Sequence, residues 1–83
     1  MNTWRMKDIR RGYRVPAKRG GRVIYHGSEP AQMGTIKSAR HAHLRILLDG
    51  YKHTGEFHPT WKLEYLDDAG GVILDTRQGE MPG

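Results

Sequence analysis

The sequence predicts an all-β protein, a small five-stranded barrel preceded by a short N-terminal helix or arm. Three observations predict it. The chain has 83 residues and 9.5 kDa, enough for one small domain that buries about 60–65% of its unfolded surface. From residue 20 onward, short apolar stretches alternate with turns rich in Gly, Asp and Pro, at a roughly ten-residue spacing. The absence of Cys leaves no disulfide framework, so a closed barrel is the economical way for so short a chain to remove exposed sheet edges.

The elements follow in order. Residues 1–19 form a basic arm, with Thr3–Gly12 read as one short helix. Thr3 is its candidate N-cap, Gly12 its stop, and Pro16 forbids continuation. Met6, Ile9 and Tyr13 fall three or four apart on one face, so the helix is expected to dock through Trp4, Met6 and Ile9. The barrel is expected over 20–75. Arg22–His26 is the first strand after Gly20-Gly21. Met33–Ser38 is the second, with Gly34 at a bend or bulge. His41–Asp49 is the third, since Leu44, Ile46 and Leu48 recur with period two before the Asp49-Gly50 turn. Tyr51–Phe57 reads as a short strand or ordered loop, and His58-Pro59-Thr60 as a tight turn. Trp61–Leu66 alternates Trp61, Leu63 and Tyr65 against Lys62 and Glu64. Val72–Asp75 is the last strand, and 76–83 is expected to be a disordered tail. The expected core is Val23, Tyr25, Ile36, Leu44, Ile46, Leu48, Trp61, Leu63 and Val72, with Trp61 the largest contributor.

Charge is unevenly spread. Residues 1–26 hold eight basic residues and one acid, a net of +7, whereas 27–83 hold six basic and eight acidic residues. The whole net charge of +5 is therefore an N-terminal property, as expected of an arm meeting a polyanion, or alternatively of a solvated tail. Arg5, Lys7, Arg10, Arg11, Arg14, Lys18, Arg19 and Arg22 are the candidate phosphate contacts, and on a helix Lys7, Arg10, Arg11 and Arg14 share one face. Tyr13, inside this run, is either a base-stacking side chain or a packing residue. Tyr51 and Phe57 are the aromatics expected to be exposed. Trp61 has two readings, a core residue or part of an aromatic recognition platform.

Other chemistry is poorly supported by the pattern. His41-Ala42-His43 places two imidazoles two apart, on one face if the segment is a strand, with His53 and His58 elsewhere. Without Cys or a second tight pair of ligands, a polar hairpin tip explains them, and no metal or other cofactor is expected. Asp67-Asp68 sits in a Gly-rich turn, and there is neither a nucleophile elbow nor a phosphate-binding loop, so no enzymatic activity is expected. The longest apolar runs, Ile46–Leu48 and Val72–Leu74, are three residues, and no apolar stretch follows the N-terminal charges. A membrane partner is therefore not expected, and a cytoplasmic protein is.

Gly21-Arg22-Val23-Ile24-Tyr25-His26-Gly27, then Gly34-Thr35-Ile36-Lys37, then Leu44-Arg45-Ile46-Leu47-Leu48-Asp49-Gly50 resembles a KOW-type segment. That motif belongs to SH3-like barrels of ribosomal proteins and transcription elongation factors. The resemblance covers about residues 20–50. It departs from the motif at Ser28–Gln32, which lacks the usual glycine and basic residues. It implies an SH3-like barrel and a binding function rather than catalysis. In size and texture the chain is also similar to small basic proteins of bacteriophages and prophages, which would put it in the host cytoplasm. The expected function is non-enzymatic binding of DNA or RNA, with little sequence specificity, by the arm on phosphates. The alternative is a protein–protein interaction module acting on a host protein or within an assembly. Neither needs a small-molecule substrate.

Overall fold

A computed structural model describes residues 5–79. Helix α1 (Met6–Tyr13) precedes six strands, β1 (Arg22–Tyr25), β2 (Gln32–Arg40), β3 (His43–Leu48), β4 (Gly55–Phe57), β5 (Leu63–Leu66) and β6 (Val72–Asp75), and a final turn of helix, α2 (Thr76–Gly79). The strands form one antiparallel sheet in the order β4-β3-β2-β1-β5-β6. The all-β expectation holds at this level. The sheet has six strands rather than five, because Gly55–Phe57 and Val72–Asp75 both pair, and no ladder joins β4 to β6 among the described residues.

Helix α1 forms where the apolar spacing requires it, displaced toward the C-terminus. Its N-cap is Arg5 in an extended conformation, and the Asp8 carboxylate reaches back to accept the Arg5 backbone N–H at 2.9 Å. Asp8 in the first turn and Arg10 and Arg11 in the last both complement the helix dipole. Gly12 does not stop the helix, which runs on through Tyr13 and ends where Arg14 turns left-handed (φ 58°). The expected cap Thr3 and the expected anchor Trp4 lie outside the described residues. Ile9 is fully buried, with Met6 and Tyr13 packed beside it. The chain then returns through Val15 and Ala17, both buried, and Arg10 donates to the Ala17 carbonyl at 2.9 Å, holding the return against the helix.

One face of the sheet carries the core. Val23, Ile36, Leu44, Ile46, Leu63 and Tyr65 point into it together with Ile9, Val15 and Ala17. Tyr25 and Leu48 are half-buried against this cluster, as are Phe57 and Leu74. A bulge between Ile36 and Ser38 advances the register of β2, so that Ala39 faces inward opposite Leu44. Gly34 is not at that bulge. It pairs with both Val23 and Leu48, and a Cβ there would lie 2.8 Å from Ile46 Cγ2 and 2.9 Å from the Leu47 carbonyl oxygen. A bare backbone is needed for β2 to lie this close to β3.

Two expected core residues are outside. Trp61 is 64% exposed because the alternation that would bury it is broken at Lys62, whose φ of 58° turns the chain before β5 begins at Leu63. Val72 is 56% exposed because a second irregularity sets Leu66 opposite Val72 and Tyr65 opposite Leu74, so that Leu74 supplies the inward side chain. The beginning of the expected tail is structural. Thr76 is buried, and its hydroxyl donates to the Leu63 carbonyl at 2.9 Å and accepts the Leu63 N–H at 3.0 Å. One side chain thus satisfies both backbone groups at the start of β5.

Two substitutions test these contacts. Thr76→Val keeps the shape and leaves a buried N–H and carbonyl unpaired, so it should lower the stability measured by urea unfolding by about 2 kcal/mol, whereas Thr76→Ser should recover most of it. Gly34→Ala should cost about 1–3 kcal/mol in the same measurement, because a backbone oxygen cannot yield as a side chain would.

Candidate nucleic-acid interface

The cations of the N-terminal segment fall into two groups. Arg22 is drawn into the outer face of the sheet, where it forks onto Asp49 at 2.9 and 2.7 Å and donates to Thr35 Oγ1 at 2.7 Å. This bidentate bond raises Arg22 and holds the Asp49 carboxyl below its ordinary range. Lys18 reaches Asp68 at 3.3 Å across an exposed gap, and Arg10 is bound to Ala17. The remaining group is Lys7, Arg11, Arg14 and Arg19. All four are exposed, and none has a carboxylate within ion-pair distance among the described residues. Lys7 and Arg11 lie one helical turn apart, on the face of α1 turned away from Met6, Ile9 and Tyr13, and Arg14 follows as the left-handed cap of the helix. Arg5 is exposed at the start of the helix.

The described carboxylates mostly serve local partners. Asp8 caps α1, Asp49 holds Arg22, and Glu56 lies 3.9 Å from Arg45. Asp67 closes its own turn through the Ala69 and Gly71 N–H groups. Glu64 meets His26 at 2.5 Å and Arg77 at 3.6 Å. Arg77 in turn forks onto Asp75, holding that carboxyl below its usual range. Most described carboxylates are therefore taken up inside the fold, three of them by Lys18, Arg22 and His26 of the N-terminal segment, while the positive face of α1 has no such partner among the described residues.

Beside the end of α1 lies a patch of rings that sequence reasoning did not assemble. Trp61 stacks on His58, with ring centroids 5.2 Å apart and planes 27° apart. Tyr13 meets the same imidazole edge-on at 5.1 Å, and His43 approaches it at 6.0 Å. The Thr60 N–H and hydroxyl both reach His58 Nδ1 at 3.1 Å, so Nδ1 is an acceptor and the proton sits on Nε2. Burial pushes the His58 pKa down, and the charge of His43 adds to the effect. His43 is oriented by a hydrogen bond from its Nδ1 to the His41 carbonyl at 3.0 Å. The loop beneath is anchored by Tyr65, whose buried hydroxyl donates to the Pro59 carbonyl at 2.6 Å and whose pKa burial raises strongly.

The expected aromatics divide. Tyr13 is half-buried and belongs to this patch, whereas Tyr51 is exposed in the loop after Asp49-Gly50. Phe57 is not exposed. It packs against the core and meets Tyr25 edge-on at 4.8 Å. His41 and His43 do not share a strand face, because His41 and Ala42 form the two-residue turn between β2 and β3, with φ of 52° and 65°. His53 is exposed in a loop, and no group of three or more His, Asp or Glu side chains is placed to hold a metal among the described residues. No helix among these residues is long and apolar enough to cross a membrane. No protein-family model matches the chain, and neither the curated proteins nor the solved structures contain a match.

The patch has a measurable pH signature. A base with a depressed folded pKa contributes stability that is complete above its unfolded value, near 6.5 for imidazole, and is lost as the pH falls from there through the folded value. The His58 ring resonance should titrate below the ordinary imidazole midpoint. Unfolding by urea at pH 7.5 and 5.5 should show a loss of stability on acidification that is smaller in His58→Phe.

Proposed function

We propose that this protein binds nucleic acid without catalysing a reaction on it, meeting phosphates with the exposed cations of α1 and the turn that follows. The observation that supports the reading is the uneven pairing of charge. Lys7, Arg11, Arg14 and Arg19 have no carboxylate partner among the described residues, while the acidic groups are largely consumed by the fold. The docked helix fixes the backbone of Lys7 and Arg11 before a phosphate arrives, and each contact releases condensed counterions. In this reading Arg22, Lys18 and Arg10 support the mount, and Arg5, Lys7, Arg11, Arg14 and Arg19 make the contacts.

The fold part of the proposal is a KOW-type, SH3-like small barrel. Its support is the run of antiparallel neighbours β1, β2 and β3 built from Gly21–Gly50, with β5 returning beside β1. A second reading, as a protein-interaction module, is favoured by the edge strand β6, where Val72 and Ile73 are both more than half exposed.

The two readings differ in salt dependence. Binding of a fluorescently labelled 16-base-pair DNA duplex should weaken at least tenfold in the triple variant Lys7→Glu, Arg11→Glu, Arg14→Glu. The slope of log K against log salt should become shallower by about one unit per phosphate contact removed. Unchanged affinity would sink the phosphate-binding mechanism. The interaction-module reading expects partner binding that is insensitive to salt and lost on replacing Val72 and Ile73 by Lys.

A further inference from the structure

We infer that the open face of Trp61 is a stacking platform for an unpaired nucleobase, so that single-stranded nucleic acid is held here by a base as well as by its phosphates. The inference rests on the phosphate-binding reading and adds the class of strand it selects.

Four observations converge on this face. Among the described residues Trp61 is the most exposed large hydrophobic side chain, at 64%, yet its ring stacks on His58. An indole fixed in this way offers its outer face without the rotamer cost of a free side chain. The His58 ring is oriented by the Thr60 N–H and hydroxyl at its Nδ1, and is braced edge-on by Tyr13. The platform is thus a layered construction rising from the helix end to the indole.

The backbone is strained in the same place. Among the described residues, the non-glycine residues in the left-handed region are Arg14, His41, Ala42 and Lys62. Each neighbours the patch: Arg14 follows Tyr13, His41 and Ala42 form the turn that delivers His43, and Lys62 follows Trp61. Such conformations cost energy for residues with a Cβ, and they persist where the surroundings enforce them, often at binding sites. Lys62 is the informative case, because regular alternation would bury Trp61 beside Leu63, and the left-handed residue turns it out.

Charge selects the occupant. The charged residues adjacent in sequence to Tyr13, His43, His58 and Trp61 are Arg14 and Lys62, both exposed cations. A methylated lysine or other cationic ligand would be repelled. It would also find no cage, since Tyr25 and Phe57 are occupied with each other in the core. A base on an anionic chain fits both features, the flat indole and the flanking cations. In a duplex the base faces are already stacked, so a duplex gains nothing from Trp61.

The test compares a labelled 16-nucleotide single strand with the duplex of the same sequence. The proteins are the wild type, Trp61→Ala, Trp61→Phe and the triple charge reversal of α1, and unchanged far-ultraviolet dichroism confirms the fold of each variant. Trp61→Ala should weaken the single strand at least tenfold and leave the duplex within about twofold, with Trp61→Phe close to wild type. In a Trp4→Phe background, the remaining indole fluorescence should be quenched by the single strand and not by the duplex. If Trp61→Ala leaves single-strand affinity unchanged while the charge reversal weakens it, base stacking is overturned and phosphate binding stands. An equal loss on both strands also overturns stacking. Failure of the wild-type protein to bind either strand at low salt overturns both readings.

Discussion

The hydroxyl of Tyr65 links the two halves of this molecule that matter, the core and the loop that carries the exposed rings. Its side chain is the largest fully buried one among the described residues, set between Val23 on β1 and Leu74 on β6, so it cannot move without opening the sheet. Its hydroxyl, buried with it, finds its acceptor in the Pro59 carbonyl at 2.6 Å. An unpaired phenol at this depth would cost several times what the bond contributes in net stability. The loop from His58 to Trp61 is therefore fixed by the core's own need to satisfy a polar atom, and the platform inherits that rigidity. Thr76 does the complementary task a few residues away by pairing both backbone groups of Leu63, where β5 begins.

Much of the sheet was legible because the period of two is enforced by burial on one face. Leu44, Ile46 and Leu48, Val23 and Tyr25, and Leu63 and Tyr65 all face the side their spacing indicates. Failures came where one residue altered the phase. A left-handed Lys62 reversed the placement of Trp61, and an irregularity opposite Leu66 exchanged Val72 for Leu74. Neither residue type advertises such a role, since lysine is seldom left-handed and Ile73 belongs to an unbroken apolar run. The Asp49-Gly50 turn and the first apolar face of α1 were readable, whereas the helix end was not. Gly12 has the better local claim to stop it, yet burial of Tyr13 beside Ile9 extends the helix one residue further.

The candidate interface was half legible for a different reason. The excess of positive charge is a property of composition, but its division into committed and uncommitted cations depends on pairs far apart in sequence. Arg22 meets Asp49 and Lys18 meets Asp68 only because the sheet folds them together. The ring patch draws Tyr13, His43 and His58 with Trp61 from the helix end, the β3 start and the loop before β5. No local motif joins those positions. The sequence signal that could have raised it was His58 and Trp61 flanking Pro59-Thr60, where a three-residue separation across a turn allows two rings to overlap.

The placement of strain connects these parts physically. A left-handed residue with a Cβ costs roughly 1 kcal/mol or more, a noticeable share of the stability of a domain this small. A turn such as His41-Ala42 would ordinarily use Asn-Gly at no such cost. These turns also serve the core, since Arg14 sends the chain back through buried Val15 and Ala17 and His41-Ala42 joins β2 to β3. What the strained residues have in common is the set of rings they orient, and the rings meet at one imidazole, His58. Core packing offsets the cost of these turns. That direction of dependence, from Tyr65 and Thr76 outward to Trp61, is what a binding surface built on a very small sheet requires, because the core beneath it must hold its contact residues still.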